Sequence, residues 1–122
     1  MDIDSHCFDV ALQRLAGDQE LFRELTLYFT EDAPVLLQAL RKGLAAGNAE
    51  SVRRAAHSLR GLAANFDAEQ AMTIAASIEQ MACEGNLRSV SAALLNLEVK
   101  IRSLSSALAE YAARATPPIA SK

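Results

Sequence analysis

The chain has 122 residues and a net charge of −3, with 51% of its residues apolar, 5% aromatic and no tryptophan. That length fits one domain with a core of its own, and the mild acidity argues against bulk nucleic-acid binding, which needs a basic field. No apolar run approaches a membrane span and no signal peptide opens the chain, so a cytoplasmic location without a membrane partner is expected, freestanding or as a module of a longer protein.

Residues 1–7 are polar and are expected to form a flexible N-terminus. Beyond them alanine and leucine dominate, and both favour helix. A short first helix is predicted over 8–16, stopped by Gly17 and Asp18. The second should run from Gln19 to about Ala46. There Leu21, Phe22, Leu25, Tyr28 and Phe29, then Leu36, Leu37, Leu40 and Leu44, recur at helical spacing. Pro34 removes an amide hydrogen and crowds the preceding turn, which predicts a kink or two abutting helices. Gly47 and Asn48 read as the stop.

A third helix is predicted over 49–65. Asn65 and Asp67 both tolerate left-handed backbone, so a turn can form without glycine. Asp67 with Gln70 resembles a capping box for a fourth helix over 68–84. The stripe of that helix is Ala71, Ile74, Ala75, Ile78, Met81 and Ala82. After Gly85 and Asn86 the fifth helix has the cleanest pattern: Leu87, Val90, Leu94, Leu97, Ile101, Leu104, Leu108 and Tyr111 alternate steps of three and four. This narrow seam is expected to pack within a monomer, dimerisation being the alternative. The segment from 115, "ATPPIASK", has two prolines and no periodicity and is expected to be disordered. The predicted fold class is therefore all-α: an antiparallel up-down four-helix bundle over 8–114, with a short additional N-terminal helix as a lid.

Cys7 and Cys83 form no CxxC pair and have no histidine at zinc spacing. Two reduced thiols and no metal site are expected.

The stretch "RRAAHSLRGLAANF" holds the one unusual residue, His57. Residues on a helix advance by about 100°, so with His57 at zero the apolar Val52, Ala55, Leu59, Leu62, Ala63 and Phe66 fall within roughly 140° to 240°. Arg53, Arg54, Arg60, Gly61 and Ala64 fall within about 60° of it. His57 thus sits at the centre of the solvent face, ringed by cations and small side chains. A metal ligand is disfavoured, because the neighbouring turns carry Arg53 and Gly61. Ser58 lies about 100° round the helix, which disfavours a Ser-His hydrolytic pair. A plain solvated histidine remains open. A neutral imidazole is, however, a competent nucleophile near neutral pH, and arginines hold phosphate oxygens by charge-assisted hydrogen bonds. With an open position at Gly61, the arrangement suits phosphoryl transfer to histidine from another protein.

"AAHSLRGLAANF" resembles the signature of histidine-containing phosphotransfer (Hpt) domains: a histidine, an aliphatic residue two on, a lysine or arginine three on and a glycine four on. These are His57, Leu59, Arg60 and Gly61. "GDQELFRELTLYFTEDAPVLLQAL" resembles the long second helix of that family, and "GNAESVRRAAHSLRG" its run-up to the histidine. "AASIEQM" resembles the following helix, where an acidic or amide residue often points towards the histidine; Glu79 is the matching position. Three departures stand out. Arg60 replaces a commoner lysine, Leu62 a usual small residue and Asp67 a common glycine.

The resemblance implies a phosphoryl carrier without autonomous kinase activity, relaying phosphate between Nε2 of His57 and aspartates of response-regulator receiver domains. A hybrid histidine kinase is a further implied partner. No cofactor of its own is implied, since Mg2+ belongs to the receiver. Arg60 is expected as phosphate partner and Gly61 as clearance, with Ala64, Glu79, Arg53 and Arg54 around them. Phe8, Leu12, Leu21 and Phe22 are expected to supply apolar contact area for the partner. A kinase of its own would need glycine-rich phosphate loops, which the chain lacks. The alternative function is a non-catalytic helical adaptor, which would have no need of the His57, Arg60 and Gly61 arrangement.

Overall fold

The structure, a computed structural model, describes residues 8–115, and the side chains of all of these except 9, 10, 14 and 112–115. The expected flexible N-terminus, with His6 and Cys7, and the tail beyond 115 lie outside the described residues. Five helices follow in order: α1 (Asp9–Arg14), α2 (Gln19–Ala45), α3 (Ala49–Ala64), α4 (Glu69–Cys83) and α5 (Leu87–Ala115). The described residues contain no strand.

Each of the long helices packs on the next, and α5 closes back on α2. The connections at 46–48, 65–68 and 84–86 are too short for anything but reversal, so the four helices alternate up and down. The seam read from α5 faces inward: Val90, Leu94, Leu97, Ile101, Leu104 and Leu108 are all buried. On α4 the buried stripe is Ala71, Ala75, Ile78 and Ala82, with Ile74 and Met81 partly buried at its margins. The small alanines let α3 and α4 approach closely, which matters for the site between them.

The helix ends show why the chain turns where it does. Ala16, Gly47, Asp67 and Gly85 all have positive φ, between 53° and 68° for the first three and 75° for the last. In each case the next residue's amide reaches back five residues: Gly17 to Leu12, Asn48 to Gly43, Ala68 to Ala63 and Asn86 to Met81. Left-handed residues of this kind satisfy helix carbonyls that would otherwise be orphaned. Asp67 takes the role without being glycine, as its short polar side chain allows. Asn65, the other expected candidate, is right-handed, with φ −58°.

Several boundaries differ from expectation. α1 ends at Arg14 rather than 16, because Ala16 turns left-handed before Gly17 does. α2 runs unbroken through Pro34, so it is one helix rather than two abutting ones. Pro34 is exposed, as is Thr30, whose carbonyl loses its amide partner there. That carbonyl lies on the wet side of the bundle, where losing a helix bond costs least. The capping box at Asp67 does not form, since the residue before α4 is Ala68, which has no side chain able to cap. Asn48 caps instead: its side chain accepts a hydrogen bond from the Ser51 amide at 3.1 Å, as Asp18 does from Leu21 at 3.0 Å.

Aromatic rings fill the end of the bundle where α2 begins and α3 and α5 end. Phe8, just before α1, meets Phe22, Phe66 and Tyr111 with centroids 5.7, 6.1 and 5.5 Å apart. Phe22 and Phe29 both pack edge-on against Phe66. The short helix is thus a lid held by one aromatic anchor.

Candidate functional site

The wheel reading of α3 holds. Val52, Ala55, Leu59, Ala63 and Phe66 are buried, Leu62 is partly buried, and the His57 side chain is 62% exposed. Ala56 is also buried, outside the apolar arc drawn from sequence, because α4 packs against that flank.

The residue that organises the site is Glu79, on α4. Its Oε2 lies 2.7 Å from His57 Nδ1, and its Oε1 accepts a hydrogen bond from Arg60 Nε at 2.8 Å. Only 18% of the Glu79 side chain is exposed. Burial pushes its carboxyl up, but the hydrogen bonds from Arg60 and His57 outweigh that, and it ionises below the ordinary carboxylate range.

The ionised carboxylate fixes the tautomer of the ring. A carboxylate only accepts hydrogen bonds, so a 2.7 Å contact requires the proton on Nδ1. In the neutral ring Nε2 then carries the lone pair, on a side chain that is mostly exposed. The Arg60 Nη2 group lies 3.2 Å from Nδ1. With Nδ1 protonated that approach joins two donors, so it is a contact over a shared carboxylate rather than a hydrogen bond.

The other cations are engaged elsewhere. Arg53 makes a two-pronged pair with Glu50, at 3.1 and 2.6 Å, and Arg54 reaches the same carboxylate at 3.3 Å. Hydrogen bonds from Arg53 and then Arg54 hold the Glu50 carboxyl down to about 2. The arginines expected around His57 are therefore paired with carboxylates, Arg53 and Arg54 with Glu50 and Arg60 with Glu79. Glu50 was legible, since it precedes Arg53 and Arg54 by three and four residues.

Gly61 faces open space: a Cβ built there meets nothing within 4 Å. Ala64 is partly buried. Gly61 therefore serves no packing need, and it leaves the approach to the ring clear.

Of the four residues expected to contact a partner, Phe8 and Phe22 are corrected. They are only 5% and 4% exposed, because their rings close the core. Leu12 is partly buried and Leu21 is 37% exposed. A better apolar neighbour is Val35, 65% exposed on α2. Gly43 packs against Val52, so moving eight residues along each antiparallel helix brings Val35 level with Arg60. Its exposure follows from the helical repeat, since Val35 lies opposite the buried stripe of Ala33, Leu37 and Leu40.

Among the described residues no three histidine, cysteine, aspartate or glutamate side chains gather to hold a metal ion. No described helix is long and apolar enough to cross a membrane.

Fold and site together define a class: a four-helix bundle presenting one exposed histidine, buttressed from the next helix by a carboxylate. The Hpt domain family model matches residues 24–114, and the chain belongs to that family. The family's members carry phosphoryl groups on histidine in two-component signalling. The crystal structure of histidine-containing phosphotransfer protein B from Pseudomonas aeruginosa PAO1 is similar in fold, with a TM-score of 0.82. The similarity covers 89% of this chain and 96% of that one at 24% identity. No curated protein sequence matches the chain.

Proposed function

We propose that the protein relays a phosphoryl group between Nε2 of His57 and aspartates of receiver domains, acting as a carrier rather than a kinase. The observation that carries this is the contact between His57 Nδ1 and Glu79. It leaves the lone pair of the neutral ring on Nε2 of a mostly exposed side chain, where a phosphorylated aspartate would meet it. The receiver brings the Mg2+, and this chain supplies the nucleophile. Arg60 is tethered by Nε to Glu79, and its outer nitrogens remain to meet phosphoryl oxygens. Gly61 admits the partner's active site, and Val35 offers apolar area beside it. A receiver or a hybrid kinase docks on this face, one carrier molecule at a time.

The test is direct. The protein is mixed with a phosphorylated receiver from the same host and Mg2+, and acid-labile phosphate on it is measured. Wild type should accept phosphate and His57→Gln should not, while substitution of His6 should have no effect. Equal acceptance by wild type and His57→Gln would leave only the adaptor reading.

A further inference from the structure

We infer that Glu50 is a latch for Arg54, holding its guanidinium back from His57 in the unphosphorylated protein and yielding it to the phosphoryl group once the ring carries one. Arg53 stays on Glu50 in both states. This rests on the proposed role of His57 as phosphoacceptor, and it adds a residue that changes partner with the state of the ring.

The two arginines are held unequally. Arg53 closes a two-pronged pair on Glu50, at 3.1 and 2.6 Å, and its side chain is 36% exposed. Arg54 makes one contact, Nε to Oε2 at 3.3 Å, on an oxygen it shares with Arg53, and its side chain is 75% exposed. A single-pronged pair in solvent is weakly held and exchanges readily. Glu50 lies four residues before Arg54, and His57 lies three residues after it. The latch therefore draws the guanidinium along the helix in the direction opposite to the ring. The return path is short. Residues three apart on a helix have Cβ atoms about 5 to 6 Å apart. Each Cα–Cβ bond also tilts towards the helix N-terminus, so His57 leans over the turn that holds Arg53 and Arg54.

Charge sets the direction of the exchange. While the ring is neutral it offers Arg54 no anion, and Glu50 offers a carboxylate. Arg53 and Arg54 bring two positive charges to that one negative charge, so the trio holds a cation in surplus. Arg60 holds none, since Glu79 matches it. A phosphoryl group brings about two negative charges and three acceptor oxygens, which turns a neutral side chain into an anionic one. The surplus cation, one turn away, then moves to the phosphoryl oxygens, where its hydrogen bonds are charge-assisted. Arg53 remains behind with Glu50 as a matched, two-pronged pair. Arg54 is the one to leave because it gives up a single long contact, whereas Arg53 would give up two shorter ones.

The experiment uses the full chain carrying His6→Gln, which leaves His57 as its only histidine. The protein is labelled with 15N-arginine and phosphorylated with potassium phosphoramidate, which passes its phosphoryl group to a ring nitrogen as ammonia leaves, so no receiver is needed. The Nε–Hε resonance of Arg54, assigned by its absence from Arg54→Lys, should move on phosphorylation while that of Arg53 stays. In Glu50→Gln the Arg54 resonance should start from an unpaired position and reach the same phosphorylated one. An Arg54 resonance that stays put, or an Arg53 resonance that moves in its place, overturns the latch. A second readout is the phosphoryl equilibrium with a receiver from the same host. Glu50→Gln should shift it towards His57 by about two- to fivefold, the worth of one exposed ion pair. In an Arg54→Gln background the same substitution should shift it less. An equal shift in both backgrounds would make Glu50 a background charge and overturn the latch. Equal acceptance from the receiver by wild type and His57→Gln would remove the proposed function and the latch with it. The Arg54 resonance separates the two failures, because it is read without a receiver.

Discussion

His57 and Glu79 meet across the seam between α3 and α4, with Nδ1 2.7 Å from Oε2. The contact joins a mostly exposed ring to a mostly buried carboxylate, so one partner is free to react while the other is held. It also ties two helices together, which gives it a consequence for stability separate from any chemistry.

That consequence depends on pH. The Glu79 carboxyl ionises below its ordinary range in the fold and at the ordinary value when unfolded. A depressed folded value means the unfolded state binds the proton more tightly. The stabilisation is therefore fully present above the ordinary carboxylate range and is lost as pH falls through the folded value. Glu79→Gln should lower unfolding free energy by about 1 kcal/mol at neutral pH, and the gap should close as pH falls below the ordinary carboxylate range. Urea unfolding of both proteins across that range measures it, and a gap independent of pH would mean the charge is not involved.

Gly61 and Gly43 respond in opposite senses to the same substitution. A Cβ at Gly61 meets nothing, so Gly61→Ala should stabilise α3 by about 0.5 to 1 kcal/mol, the usual helical penalty of glycine. A larger side chain, as in Gly61→Leu, should leave the helical circular dichroism intact and slow phosphate acceptance by blocking the approach to His57. Loss of the fold in that variant would make Gly61 structural instead.

At Gly43 the built Cβ lies 3.0 Å from Ser51 Cβ and 3.2 Å from the Val52 amide nitrogen. The backbone atom cannot swing aside, so Gly43→Ala must push α2 and α3 apart. A cost of about 1 to 3 kcal/mol is expected, measured by the shift in the urea midpoint. A stabilised Gly43→Ala would show that the two helices separate freely.

The sequence and the structure agree most where periodicity is the cause. The α5 seam and the solvent-facing position of His57 follow from a helical repeat, and both were legible because a two-faced helix has one way to sit on a core. Glu79 was legible only through family likeness, since no spacing rule on α4 points across to α3. The caps were misread where two residues competed for one role. Asp67 turned the chain and so could not also cap α4, while Asn48 looked like a stop and proved to be a cap. Phe8 and Phe22 were misassigned because an aromatic near a terminus looks alike whether it closes a core or meets a partner. Only the packing of three helix ends distinguishes the two.

Asn48 offers a clean check on the capping argument. Its side chain satisfies the Ser51 amide at the start of the helix that carries His57. Asn48→Ala should cost about 1 kcal/mol, and Asn48→Asp should retain the cap. Equal stability of all three proteins would remove the cap from the account.

Phe8 allows stability and function to be separated. A six-residue helix such as α1 cannot hold itself in water. What fixes it is the Phe8 ring against Phe22, Phe66 and Tyr111, together with the partly buried Leu12. Phe8→Ala removes that anchor and should cost about 3 kcal/mol. Amide exchange should accelerate in α1 before it does in α3, because the long helices keep the rest of their core. Phe66, the ring nearest to His57 in sequence, lies nine residues away, roughly 13 Å along the helix. Phosphate acceptance by His57 should therefore survive in Phe8→Ala wherever the bundle remains folded. Unaltered exchange in α1 would mean the lid is held by something other than its aromatic anchor. A loss of acceptance from a folded Phe8→Ala protein would place α1 in the docking surface after all.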